Sequence, residues 1–139
     1  MDTAGQTLAP RAHRSVPAAV RRGLAGRCPA CGEGRLFPKF LKVAEHCPAC
    51  RAELHHHRAD DFPPYIVILI VAHVIGWGIL MAETRAEVPL WVHFSTWPAL
   101  TVLLSLLLLQ PVKGAVVGLQ YALGMHGFDA APQPEAPAR

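Results

Sequence analysis

Apolar residues are gathered in the second half of the chain. Tyr65 to Ala82 is an apolar run of 18 residues with His73 as its only strongly polar member, just long enough to cross a bilayer as a helix. Glu83-Thr84-Arg85-Ala86-Glu87 is a short polar turn, and Leu90 to Leu109 is a second apolar run of 20 residues. Gln110-Pro111 is expected to terminate it, because proline lacks the N–H that continues a helix. Ahead of the first run, Asp60-Asp61-Phe62-Pro63-Pro64 marks a helix start. Asp60 or Asp61 can cap, and proline fits a first turn. The pattern predicts an α-helical membrane protein built on a two-helix transmembrane hairpin, at 65–82 and 90–109. A buried soluble hairpin is the alternative, but nothing else in the chain could cover two such apolar helices.

The flanks read differently. Residues 112–127 carry Lys113, Gln120, Tyr121 and His126 among glycines. They are expected to form an interfacial C-terminal helix, lying in the membrane surface or packed on the hairpin. Gly114, Ala115 and Gly118 would allow close helix contact; if the segment spanned instead, the C-terminus would cross to the other side. Residues 1–20 and 129–139 are expected to be disordered tails. The first 27 residues hold no apolar stretch of signal-peptide length.

Composition sharpens this picture at one place. Hydrophobic content is 52% and mean hydropathy +0.27, yet residues 1–61 are polar and basic, too short for a large core of their own. A structural metal is the usual remedy, and the chain supplies the ligands. All four cysteines lie in two copies of one tetrapeptide, Cys28-Pro-Ala-Cys31 and Cys47-Pro-Ala-Cys50. Their spacing is that of a four-thiolate zinc site. Gly32 and Gly34 follow the first pair and suit a tight knuckle. Leu36-Phe37 and Phe40 to Val43 read as two short strands, making residues 21–58 a small β-type zinc ribbon and 59–128 the membrane unit. A closed set of four thiolates leaves no open position, so the metal would be structural. Iron could occupy the same ligands. Redox-active dithiols are the competing reading.

Charge adds a direction. Net charge is +3, and ten of the 13 Lys and Arg lie at or before Arg58. Basic residues flank the entry to the hairpin and Lys113 follows its exit, so the positive-inside rule puts both termini in the cytoplasm. Free thiols agree with a reducing compartment. Nucleic-acid binding through Arg21, Arg22 and Arg27 is a weaker reading of the same charge, because aromatics that could stack on bases are scarce there.

The histidines are the remaining candidates. His55, His56 and His57 could hold a second metal ion, against the plainer reading of a solvated linker. His73 in mid-span needs a polar partner. Thr101 on the second helix is nearly level with it, the two lying about 14 Å and about 16 Å from the hairpin turn at 1.5 Å per residue. A His73–Thr101 hydrogen bond and a bond from His73 to another subunit are both open. His93 is expected about 9 Å from His73 along the membrane normal, nearer the level of Trp77 and able to stack with it. Gly76 and Gly78 give the first helix a slim face for docking. No nucleophile–base set or phosphate loop is visible, so an enzyme is not expected.

Cys28-Pro-Ala-Cys31-Gly-Glu-Gly-Arg-Leu-Phe37, Cys47-Pro-Ala-Cys50, Arg58-Ala-Asp-Asp-Phe-Pro-Pro-Tyr65, Pro111-Val-Lys-Gly-Ala115 and Met125-His-Gly-Phe128 together resemble the bacterial domain of unknown function 983 family over residues 20–128. Arg51 departs from the glycine more usual after a second cysteine pair. The resemblance implies a small multi-pass protein of the bacterial inner membrane with a link to cytochrome c oxidase biogenesis. The function expected is a non-catalytic assembly or interaction factor, with the lipid bilayer and a respiratory oxidase subunit as partners and self-association open. Delivery of copper or zinc by a metal- or thiol-handling protein is the alternative.

Overall fold

A computed structural model describes residues 15–56 and 61–128. The expected tails at 1–14 and 129–139, together with His57, Arg58 and Asp60, lie outside the described residues. Among the described residues three helices follow one another: α1 (Val16–Leu24), α2 (Phe62–Arg85) and α3 (Leu90–Leu123), with a 3-10 turn at Met125–Gly127.

α2 and α3 are both long and apolar enough to cross a membrane. At 1.5 Å per residue, 24 and 34 residues reach about 36 Å and about 51 Å, against a hydrocarbon core of about 30 Å. Val67, Val71 and Ile75, spaced by four, form one stripe of α2 packed on Trp97, Leu100, Leu104 and Leu108 of α3. Elsewhere the pair is apolar and uncovered: Ile68, Trp77, Trp91, Phe94 and Leu107 are all more than 60% exposed. Only 11% of the apolar window of α2 and 22% of that of α3 is buried. A soluble core helix would bury most of that surface, so this distribution suits lipid.

Three expectations are corrected. First, α3 does not stop at Gln110-Pro111. It runs on through Pro98 and Pro111 to Leu123, so residues 112–123 are the end of the second apolar helix and not a separate element. Proline costs the bond to the carbonyl four residues back, but a helix in a membrane protein tolerates it where neighbours compensate. Burial of Gly114, Val116, Val117, Gly118 and Gln120 just beyond Pro111 supplies the compensating packing. Second, helix begins at Val16, inside the stretch expected to be a disordered tail to residue 20. Pro17 in its first turn, two alanines and Arg21 and Arg22 in its last turn all favour helix there. Nine residues are too few to be stable alone; packing on α3 holds them.

Third, no β-strand is present among the described residues. Arg27–Arg35, Lys39–Lys42 and His46–Glu53 form isolated antiparallel bridges instead. The backbone groups that a ladder would need are used by the turns. Cys28 N–H donates to the Gly34 carbonyl at 2.8 Å and Gly32 N–H to the Cys28 carbonyl at 2.8 Å. Leu41, in the expected second strand, has φ 61°, which breaks extended pairing.

The end of α3 is where the two halves of the chain meet. α1 crosses it antiparallel through small residues on both sides. A Cβ on Gly114 would collide with the backbone of Gly23, and one on Gly118 with the backbone of Ala19. Ala19-x-x-x-Gly23 and Gly114-x-x-x-Gly118 thus form one clasp, with the helix backbones in direct contact. Beside it, Val116 and Val117 enter a core with Leu36, Phe37, Val43, Leu54, Phe128, Cys28 and Cys47.

Candidate metal centre

Each Cys-Pro-Ala-Cys segment forms a tight turn whose last cysteine is followed by a residue with positive φ: Gly32 at 79° and Arg51 at 58°. In the second turn Arg51 N–H donates to the Cys47 carbonyl at 2.9 Å, as Gly32 N–H does to Cys28 in the first. The two turns face each other. Cys28 Sγ lies 3.8 Å from Cys50 Sγ, and Cys31 Sγ 3.8 Å from Cys47 Sγ. All four sulfurs are within 4.8 Å of one another. Four thiolates at about 2.3 Å from one tetrahedral ion stand about 3.8 Å apart. The residues present therefore fit a single tetrahedral ion, and the separations exclude a disulfide. Gly34 is fixed by the same geometry, since a Cβ there would strike Cys47 Sγ.

The sulfurs are not equivalent. Burial pushes the Cys28 thiol up to about 12 and raises that of Cys50. The backbone N–H groups of Gly34 and Glu33 hold Cys31 down to about 6; Glu33 N lies 3.4 Å from its sulfur. A metal ion replaces the buried protons, so binding expels them and its affinity rises with pH. Cys31, depressed from 9.0 to about 6, keeps its thiolate to lower pH than the buried Cys28 and Cys50. Metal is expected to be retained in mildly alkaline buffer and released on acidification, as protons displace it from the sulfurs. Metal analysis after desalting across a pH series checks this; retention in strong acid would contradict a four-thiolate set.

Arg22 ties α1 to the first turn. Its Nη1 donates to the Pro29 carbonyl at 3.2 Å and to the Ala30 carbonyl at 2.9 Å, and its stem lies along Gly32. Arg51 carries strain that Gly32 does not, because a side chain in the left-handed region costs about 1 kcal/mol relative to glycine. Arg51→Gly is expected to stabilise the metal-bound domain by about that amount. The midpoint of denaturant unfolding in detergent would report it, and a lower midpoint would mean that the arginine makes a compensating contact.

The histidines fall into separate places. His55 and His56 sit on the turn after the second knuckle with Glu53, whose carboxyl is drawn below the usual carboxylate range by the hydrogen bond with His56, then by His55 and His46. His126 is exposed, with φ 58°. The His73–Thr101 bond is not formed. His73 Nδ1 donates to the Leu69 carbonyl at 2.7 Å and Thr101 Oγ1 to the Trp97 carbonyl at 2.8 Å. Each polar group satisfies itself within its own helix, the cheapest solution in an apolar surround. His73 remains on the exposed face, lining a groove of about 350 Å³ with Ala72, Gly76, Trp77 and Leu80. His93 stacks on Trp97, not Trp77, with ring planes 28° apart. Trp97 Nε1 donates to His93 Nδ1 at 2.8 Å, and His93 Nε2 lies 2.9 Å from Glu83 Oε1, at ion-pair distance but off hydrogen-bond alignment. The four-residue spacing of His93 and Trp97 on one helix was the legible signal. The ring of Trp97 also covers Gly78, where a Cβ would come within 2.8 Å of it, whereas Gly76 faces open space.

No curated protein and no solved structure matches this chain. A family model described as protein of unknown function (DUF983) matches residues 37–121. The matched stretch takes in the second knuckle, α2 and α3 as far as Tyr121, including the part of α3 that α1 clasps; Cys28 and Cys31 lie before it. Covering more than half of the chain, and joining the thiolate turn to the hairpin in one unit, the match makes this protein a member of the DUF983 family.

Proposed function

We propose that this protein is a non-catalytic, membrane-anchored interaction module that helps to assemble a larger membrane complex. The observation that supports it best is the closure of the thiolate centre: four sulfurs within 4.8 Å of one another leave a bound ion no position for substrate. Zinc is the ion that such a set favours for a structural role. Its work is to hold a domain whose core is too small to be stable unaided, rigidly mounted on the end of α3. The hairpin then offers partner helices its exposed apolar sides. The groove at His73 and Gly76 is the best placed of these. With Nδ1 donating to Leu69, His73 Nε2 is left to accept from a partner within the membrane.

The module sits in the bacterial inner membrane, with both termini in the cytoplasm. Arg21, Arg22, Arg27, Arg35, Lys39 and Lys42 belong to the domain docked at one end of the hairpin, whereas the opposite turn holds Arg85 between Glu83 and Glu87; the positive-inside rule supports this orientation. Family resemblance adds a respiratory oxidase subunit as the partner. Affinity purification in mild detergent, with metal analysis of the same sample, tests the reading. Recovery of oxidase subunits from the wild type, reduced for His73→Leu, is the expected result. A protein recovered alone, with rapidly exchanging metal at the four thiolates themselves, would favour metal delivery instead.

A further inference from the structure

The turn that follows the second knuckle carries a ligand set of its own. Glu53, His55 and His56 each place one ligand atom within 4.8 Å of the others. His56 Nε2 and Glu53 Oε2 are 3.0 Å apart, which is the separation of two ligands bound at about 2.1 Å and at right angles on one ion. The rings of His55 and His56 stand side by side, 4.0 Å between centroids.

Packing sets these positions. Leu54, between the ligands, is fully buried, and its N–H donates to the Glu45 carbonyl at 2.8 Å. The backbone at Glu53 pairs with His46. On the other side, Gly127 lies against the His56 ring, so close that a Cβ would be 3.1 Å from Nδ1. Phe128 meets the same ring edge-on at 5.9 Å. The chain is therefore bent by a buried leucine, and His56 is backed by the turn that ends α3.

We propose that Glu53, His55 and His56 form a second, open metal site for a divalent first-row transition ion, separate from the four-thiolate centre. Two imidazoles and one carboxylate favour nickel, copper or zinc over magnesium or calcium. Three protein ligands leave at least one position for water or for a donor from another molecule, so the ion exchanges where the thiolate-bound ion does not. On binding, the ion takes the place of the Nε2 proton that His56 shares with Glu53 Oε2, and His56 carries its one ring proton on Nδ1 as a neutral ligand. The site stands independently of the assembly reading.

The test uses the full chain in detergent, loaded with one zinc and then titrated with Co2+. The expected result is one further equivalent whose visible spectrum lacks sulfur-to-metal charge transfer, while the zinc stays in place. His55→Ala with His56→Ala abolishes that equivalent and keeps the zinc; His126→Ala leaves both. If the double variant fails to fold, X-ray absorption at the cobalt edge of the wild type reads the ligands directly and should show imidazole and oxygen without sulfur. Absence of a second equivalent, its survival in the double variant, or sulfur in its shell would overturn the proposal.

Discussion

Cys47→Ser is expected to abolish metal binding and to unfold residues 21–56 while leaving the hairpin helical. In small domains held by a structural zinc, metal binding contributes about 10–16 kcal/mol of apparent free energy, most of which is folding free energy. Here the sulfur is doubly committed. Cys47 is only 1% exposed and belongs to the same core as Leu36, Leu54 and Val117, and its Sγ fills the space beside Gly34. A serine oxygen is a poorer ligand and leaves the other three thiolates, one of them pushed up to about 12, competing with protons. Metal content, trypsin cleavage at Arg27 and Arg35, and far-UV circular dichroism in detergent measure the three parts. A variant without metal but still resistant to trypsin would show that the core of Leu36, Phe37, Val43 and Leu54 suffices without an ion.

Gly118→Leu is expected to separate α1 from α3 at a cost of about 3 kcal/mol or more, the upper end for overpacking. A side chain there meets the backbone of Ala19 and Val20, which cannot swing aside as a flexible side chain would. The helix must shift bodily, and α1 is too short to stay folded once released. The expected signs are a lower unfolding midpoint and cleavage at Arg21 and Arg22, with metal binding weakened because Arg22 no longer reaches the Pro29 and Ala30 carbonyls. Gly76→Leu is the control. A Cβ at Gly76 meets nothing within 4 Å, so its midpoint should move by no more than about 0.5 kcal/mol. An equal fall from the two variants would mean that added bulk anywhere on the helices, and not the clasp, is being read.

The thiolate centre was legible from spacing alone, because two Cys-x-x-Cys turns carry their own geometry and need little from the rest of the chain. Glu53 was not, since a lone carboxylate three residues before a histidine looks like any solvated charge until the turn brings the two atoms together. Pro111 misled for a related reason. Proline's cost to a helix is local and visible in the sequence, whereas the burial of Val116 and Val117 that outweighs it is tertiary. The pairing of His73 with Thr101 rested on their equal depth, but depth does not fix rotation about the helix axis, and each side chain turned to a carbonyl of its own helix.

By itself the sequence determined the apolar runs, their hairpin connection and the tetrapeptides that converge on one point, because hydropathy and ligand chemistry act over a few residues. The tertiary structure decided what the small residues of α3 are for. Gly114 and Gly118 could have faced lipid, α2 or another subunit; they face Gly23 and Ala19, whose small size lets the two backbones touch. That contact, with the core beside it, docks the thiolate domain on the end of the hairpin.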